Sequence, residues 1–186
     1  MTSMPTRLTP RTSLMLGATL IPALIVGLTL SLDSKPAQGA SPEADAASAP
    51  AVPYPQNYRQ WQHVKTMVIQ PGHSLYGAFG GIHHLYANTK AMTGYRDGKF
   101  PDGAIIVFDL LEASSADNTV TEGKRKVVGV MHRDSKQYAA TGGWGFEGFV
   151  GDSKTERAVG KNAANACFSC HQPMKERQYV FSSYRP

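Results

Sequence analysis

The sequence predicts an α+β domain, an antiparallel β-sheet packed with short helices. Two observations carry this. Short runs rich in β-branched and aromatic residues recur between turn residues, and the polar segments between them open on helix N-cap residues. No internal repeat breaks the order. Residues 64–69 and 82–87 read as the first two strands. Residues 104–111 are the strongest strand, a β-branched run opened by the turn residues Pro101, Asp102 and Gly103. Residues 126–131 and 144–150 supply two more. Short helices fit 88–95, which opens on Asn88 and stops at Gly94, and 134–140, which opens on Asp134 and stops before Gly142. The longest helix is expected over 152–166, weakened in its middle by Gly160. Tyr179, Val180 and Phe181 alternate as a final strand.

This domain occupies 54–186, and the residues ahead of it have other work. Arg7 and Arg11 precede an apolar run over 13–32, closed by Asp33 and Lys35, which is the charge and hydropathy order of a secretory signal. Residues 1–39 are therefore expected to be a signal peptide. Ala37 and Gly39 place small side chains before a cut after Gly39, and 44–46 offer a second site. The run is also long enough to span a bilayer, so an uncleaved anchor is the alternative. Either outcome delivers the domain outside the cytoplasm, to the periplasm. Residues 40–53, dominated by Ala, Ser and Pro, read as a flexible linker.

Composition sets further bounds. The chain has 186 residues, 41% of them hydrophobic and 9% aromatic, enough for one domain with its own core. Its formal charge of +5 falls to +3 once residues 1–39 are removed, and no run of five or six Lys or Arg appears. Nucleic acid is not an indicated partner.

The chemistry is concentrated in Cys167, Phe168, Ser169, Cys170 and His171, which hold both cysteines of the chain. In a C-x-x-C-H motif the two thiols can add to the vinyl groups of haem while the histidine meets the iron. Two intervening residues let one helical turn present both sulfurs to one porphyrin edge. Three other uses compete. A disulfide would suit an exported protein but would close a loop too small to stabilise much. A thioredoxin-like pair expects a βα context early in the fold. A zinc site would need two more ligands, which His83, His84 or His132 could supply. The adjacent histidine, the export signal and the lack of a third cysteine favour one covalently attached haem c, with Cys167, Cys170 and His171 as its attachment and His171 as the metal ligand.

Position within the chain discriminates further. Met174 is the only methionine after His171, too near to reach the opposite haem face, so a sixth ligand must come from upstream, Met67 or Met131 for example, or the iron is open. The helical cytochromes c′ also place the motif late, but they lack a strand such as 104–111.

Tyr54 to Trp61, the Phe100-Pro101-Asp102-Gly103 turn before a strand, Gly143-Trp144-Gly145-Phe146, the haem motif and Tyr179-Val180-Phe181 follow one another in an order that resembles the cytochrome P-460 and cytochrome c′-beta family. The resemblance implies an antiparallel sheet with helices, haem c at one edge, a homodimer and periplasmic residence. In the catalytic members a lysine on the strand after the turn crosslinks to the haem, and those proteins oxidise hydroxylamine. Here that position is Phe108. In the c′-beta members a phenylalanine there caps the distal face beside a second one, and Phe79 aligns with that partner. Neither ring can donate a conventional hydrogen bond, so a dry, crowded pocket is expected.

Other residues carry weaker expectations. Glu147, between Phe146 and Phe149, is the acid expected nearest the distal pocket, although a solvated strand face explains it equally well. His83 and His84 should point to opposite faces, in surface or hydrogen-bonded roles. Lys175 and Arg177 are candidates to meet the haem propionates. The function expected is a five-coordinate haem protein that binds a small gas such as nitric oxide or carbon monoxide. A haem oxidoreductase acting on hydroxylamine, nitric oxide or peroxide, or an electron-transfer cytochrome with a redox partner protein, stays open beside it.

Overall fold

The computed structural model describes residues 51–186; the expected signal or anchor lies outside the described residues, as does most of the linker. Five strands, β1 (Gln62–Ile69), β2 (Gly81–Ala87), β3 (Ile105–Ala116), β4 (Thr119–Arg133) and β5 (Trp144–Val150), pair antiparallel in chain order. Helix α1 (Tyr76–Phe79) links β1 to β2, α2 (Thr89–Asp97) links β2 to β3, and α3 (Ser169–His171) belongs to the C-terminal segment. The α+β class is therefore as expected, and each of the five strands expected between residues 64 and 150 overlaps an observed one. Val52, assigned to the linker, is buried, and its carbonyl accepts from Arg157 Nη1, so the packed chain begins ahead of Tyr54.

Register decides which side chains share a face, because successive residues of a strand point to opposite sides. One row joins Ala87, Ile106, Met131 and Phe146, and the next joins Leu85, Phe108, Gly129 and Gly148. This first face packs its core around Ile106, Trp144, Phe146 and Val180, with Cys167 and Phe168 against it. The other face carries Tyr86, Val107, Val130 and Glu147 in one row and His84, Asp109, Val128 and Phe149 in the next. Its core gathers Val52, Tyr58, Tyr138 and Phe149.

Helix α2 shows how local sequence sets an element. Asn88 Oδ1 accepts from Ala91 N at 2.9 Å, an N-cap, and also from Ile105 N at 3.1 Å, which ties the helix to β3. The helix runs past the expected stop at Gly94 and ends at Gly98, whose φ of 73° suits a C-cap. Gly94 serves packing instead, since a Cβ there would collide with the Phe100 ring.

Three expected elements do not form. Over 134–140 the Asp134 carboxylate accepts from the backbone of Lys136 and Gln137, which yields a turn followed by a 3-10 turn, Ala139–Thr141. The helix expected over 152–166 gives way in its first half to an extended stretch, where Arg157 bridges to Phe149, and Gly160 takes a left-handed φ of 55°. Helix begins only at the 3-10 turn Gly160–Asn162 and runs on through the π-helical turn Ala164–Phe168 into α3. The final strand fails because Gln178 and Tyr179 both adopt left-handed φ, 51° and 66°.

Candidate functional site

The C-terminal segment brings the motif onto the first face. Cys167 and Cys170 lie three residues apart on the continuous helical run of 164–171, and both thiols are free. His171 follows at its end. The imidazole packs 5.0 Å from the Phe146 ring and 4.9 Å from Phe181, centroid to centroid. Its Nδ1 donates to the Tyr179 carbonyl at 2.7 Å, which fixes the ring and leaves Nε2 as the nitrogen open to a metal. Burial lowers the His171 pKa, and the Tyr179 bond offsets this only in part, so the ring is held neutral as a metal ligand must be.

The Tyr179 carbonyl is aimed by the same backbone reversal that abolishes the last strand. Tyr179 N donates to Met174 O at 2.8 Å, and Trp144 Nε1 donates to Gln178 O at 2.9 Å. The Gln178 side chain spans to Gly98 O at 2.8 Å and accepts from Phe100 N at 3.2 Å. Gly142, with φ 66°, leaves room for the Tyr179 ring, which a Cβ at that position would strike. Tyr179 and Phe181 stand out in the sequence, but these supports do not, because they join residues some 35 to 80 positions apart.

Burial pushes the Cys167 thiol up to about 11, and the charges of Glu147 and Cys170 add to the effect. A thioredoxin-like pair requires the opposite, a thiol whose pKa is depressed. Among the described residues no group of three or more His, Cys, Asp or Glu side chains could hold a metal ion, so none of the three histidines completes a zinc site with the cysteines. His84 bonds Thr66 at 2.8 Å and Glu122 at 2.6 Å, and His132 packs against Tyr138.

The expected distal pair does come together. Phe79, at the end of α1, meets Phe108 of β3 edge to face, with centroids 5.8 Å apart. Phe108 shares the first sheet face with Phe146, the residue that contacts His171. Lys126 Nζ donates to the Gly80 carbonyl at 2.8 Å and so ties the chain just after Phe79 to β4. His83 lies 4.6 Å from Phe108 and is only 4% exposed, and its Nδ1 has no hydrogen-bond partner. His84 thus fills the hydrogen-bonded role expected of the pair, whereas His83 does not.

Glu147 is corrected in both its location and its role. It is buried, not solvated, and it alternates with Phe146, so it points away from the face that carries Phe108. Burial would raise its pKa. The bond from Arg157 at 2.8 Å and the backbone N–H groups of Gly148, Gly160 and Val159 outweigh this and hold the carboxyl below its ordinary value. The carboxylate therefore fastens 157–160, the stretch that leads into the haem motif. Asp109, behind Phe108, is likewise engaged: it is fully buried and accepts from Arg125 Nε at 2.6 Å and Arg59 Nη1 at 3.0 Å.

An antiparallel sheet with a Cys-x-x-Cys-His helix seated on one face defines a haem-binding α+β domain. The chain belongs to the cytochrome P460 family, whose profile matches residues 55–182. No curated protein matches the chain closely enough to count as a relative. The family implies a haem cofactor, and the residues present fit one: two free thiols a helical turn apart, a neutral imidazole fixed at Nδ1, and apolar rings around it.

Proposed function

We propose that this chain is an exported protein with one haem c, covalently held by Cys167 and Cys170, that binds a small neutral diatomic gas such as nitric oxide or carbon monoxide. The carrying observation is the contrast around the site: His171 is clamped through Nδ1 to Tyr179, while Phe79 and Phe108 close over each other where catalytic relatives have a crosslinking lysine. Held by Cys167, Cys170 and His171, a haem would supply an iron able to take a diatomic ligand. The protein residues do the rest. Tyr179 holds the imidazole in place, and the two phenyl rings keep the far side narrow and largely apolar.

Ligand entry then requires a ring to move, so association is slow while affinity persists. Scavenging, carriage or sensing of the gas all follow from such a site. Export to the periplasm rests on the order of charge and hydropathy in residues 7–39. Assembly as a homodimer rests on the resemblance alone.

Optical spectra of the purified ferrous protein, with and without nitric oxide, test the reading together with mass spectrometry. The expected result is an ordinary five-coordinate haem c spectrum that changes on addition of the gas, on a polypeptide whose mass includes haem after acid-acetone extraction. An unmodified polypeptide, or sustained multi-turnover oxidation of hydroxylamine, would overturn it.

A further inference from the structure

His83 is the residue that the two-ring picture does not accommodate. It stands on β2 opposite Leu110 of β3, two residues from Leu85, which pairs with Phe108. Its ring lies 4.6 Å from the Phe108 ring with a tilt of 34°, close to stacked. The residue is 4% exposed, yet Nδ1 is sealed from solvent with no partner, and among the described residues the side chain makes no hydrogen bond. Leaving a buried polar atom unpaired is costly, and native interiors rarely do so without a reason. The other buried polar side chains of the sheet, Asp109 and Glu147, are fully bonded. Two imidazoles are the exceptions, His132 on the opposite face and His83, and of these His83 lies beside the ring proposed to cap the iron.

We infer that His83 is the polar group of the distal pocket, whose imidazole N–H hydrogen-bonds a diatomic ligand that has displaced the Phe108 ring. The inference rests on the reading that Phe79 and Phe108 cap the iron. It changes the expected selectivity of the site. Two phenyl rings would leave every diatomic without a hydrogen bond, whereas an imidazole N–H favours ligands that carry partial negative charge, dioxygen above carbon monoxide. Burial holds the ring neutral, so it can present one N–H without adding a buried charge. His83 is thus a specificity-determining residue, and the stacking on Phe108 couples its position to the movement of that ring.

The test uses the full-length haem-loaded protein and three variants, His83→Leu, His83→Gln and Phe108→Ala. The infrared C–O stretch of the ferrous carbon monoxide complex reads the field at the ligand, and dioxygen dissociation reads the hydrogen bond. In His83→Leu the stretch should rise and dioxygen should leave about tenfold faster, the loss expected for one hydrogen bond. His83→Gln, which keeps a donor, should recover much of both. Wild type itself should show a deuterium shift of its dioxygen vibrations in heavy water, a readout that needs no variant to fold.

If Phe108→Ala speeds gas association but His83→Leu leaves the stretch and dissociation at wild-type values, and heavy water shifts nothing, the role of His83 is wrong and the pocket stands. If Phe108→Ala also changes nothing, the capping of the iron is itself wrong, and the inference falls with it.

Discussion

The two faces of the sheet treat buried polarity differently, although each leaves one imidazole nitrogen unpaired, His83 on one and His132 on the other. On the face of Asp109 and Glu147 every buried carboxylate is bonded several times, to Arg59 and Arg125 in one case and to Arg157 and three backbone N–H groups in the other. On the face of Phe108 and Phe146 the one buried histidine of β2 has no partner, the two thiols are unpaired, and His171 keeps a nitrogen in reserve. A face that saturates its carboxylates stabilises the fold. One that leaves thiols and a ligand imidazole open is prepared to receive something else, and here that face also carries the haem motif.

The sharpest way to break this contrast is to unpair the saturated face. Asp109→Ala leaves Arg125, whose side chain is only 17% exposed, without its buried partner. The expected cost is about 3–5 kcal/mol, read from chemical denaturation of the haem-loaded protein. A loss below about 1 kcal/mol, in the range of exposed ion pairs, would show that this face does not carry the stability assigned to it.

Acid should act mainly on the other face. Burial lowers the His83 pKa from 6.5 to about 4, so the folded protein keeps this ring neutral where the unfolded chain takes a proton. The stability from this site is therefore complete above pH 6.5 and is lost as pH falls from 6.5 toward 4. The full loss is as much as about 3 kcal/mol. The profile of His83→Leu should be flatter over that window, as followed by denaturant midpoints across pH. Parallel profiles would mean that the ring is solvated and that its isolation is not real.

Lys126→Met probes the tether between β4 and the chain that follows Phe79. One hydrogen bond is lost from a partly exposed site, so stability should fall by only about 1 kcal/mol. Carbon monoxide association should speed up severalfold, because α1 is then freer to carry Phe79 aside. Unchanged kinetics would show that Phe108 alone controls entry.

Much of this could be read from the chain because the signals were local. The five strands follow from β-branched runs bounded by turns, and the haem motif needs only five consecutive residues. The failures share another cause. Asp134 spends its side chain on a turn, Gly160 takes a left-handed φ, and Gln178 is bent back by bonds to Trp144, Phe100 and Gly98, partners that periodicity does not reveal. Glu147 was misjudged because one acidic residue between two phenylalanines looks alike whether solvated or bonded to Arg157. His83 was hidden by His84: the alternation was correct, but the lack of any partner depends on how β1, β3 and α1 surround it. Its pairing two residues from Leu85, across from the strand of Phe108, was the signal available.

Gas association to the ferrous protein tests the central claim most directly, with carbon monoxide mixed by stopped flow against wild type and Phe108→Ala. Removing a ring that must move aside should raise the association rate by an order of magnitude or so while the affinity changes less. Equal rates in the two proteins, with both still five-coordinate, would place Phe108 in the core away from the iron and contradict a capped gas-binding site.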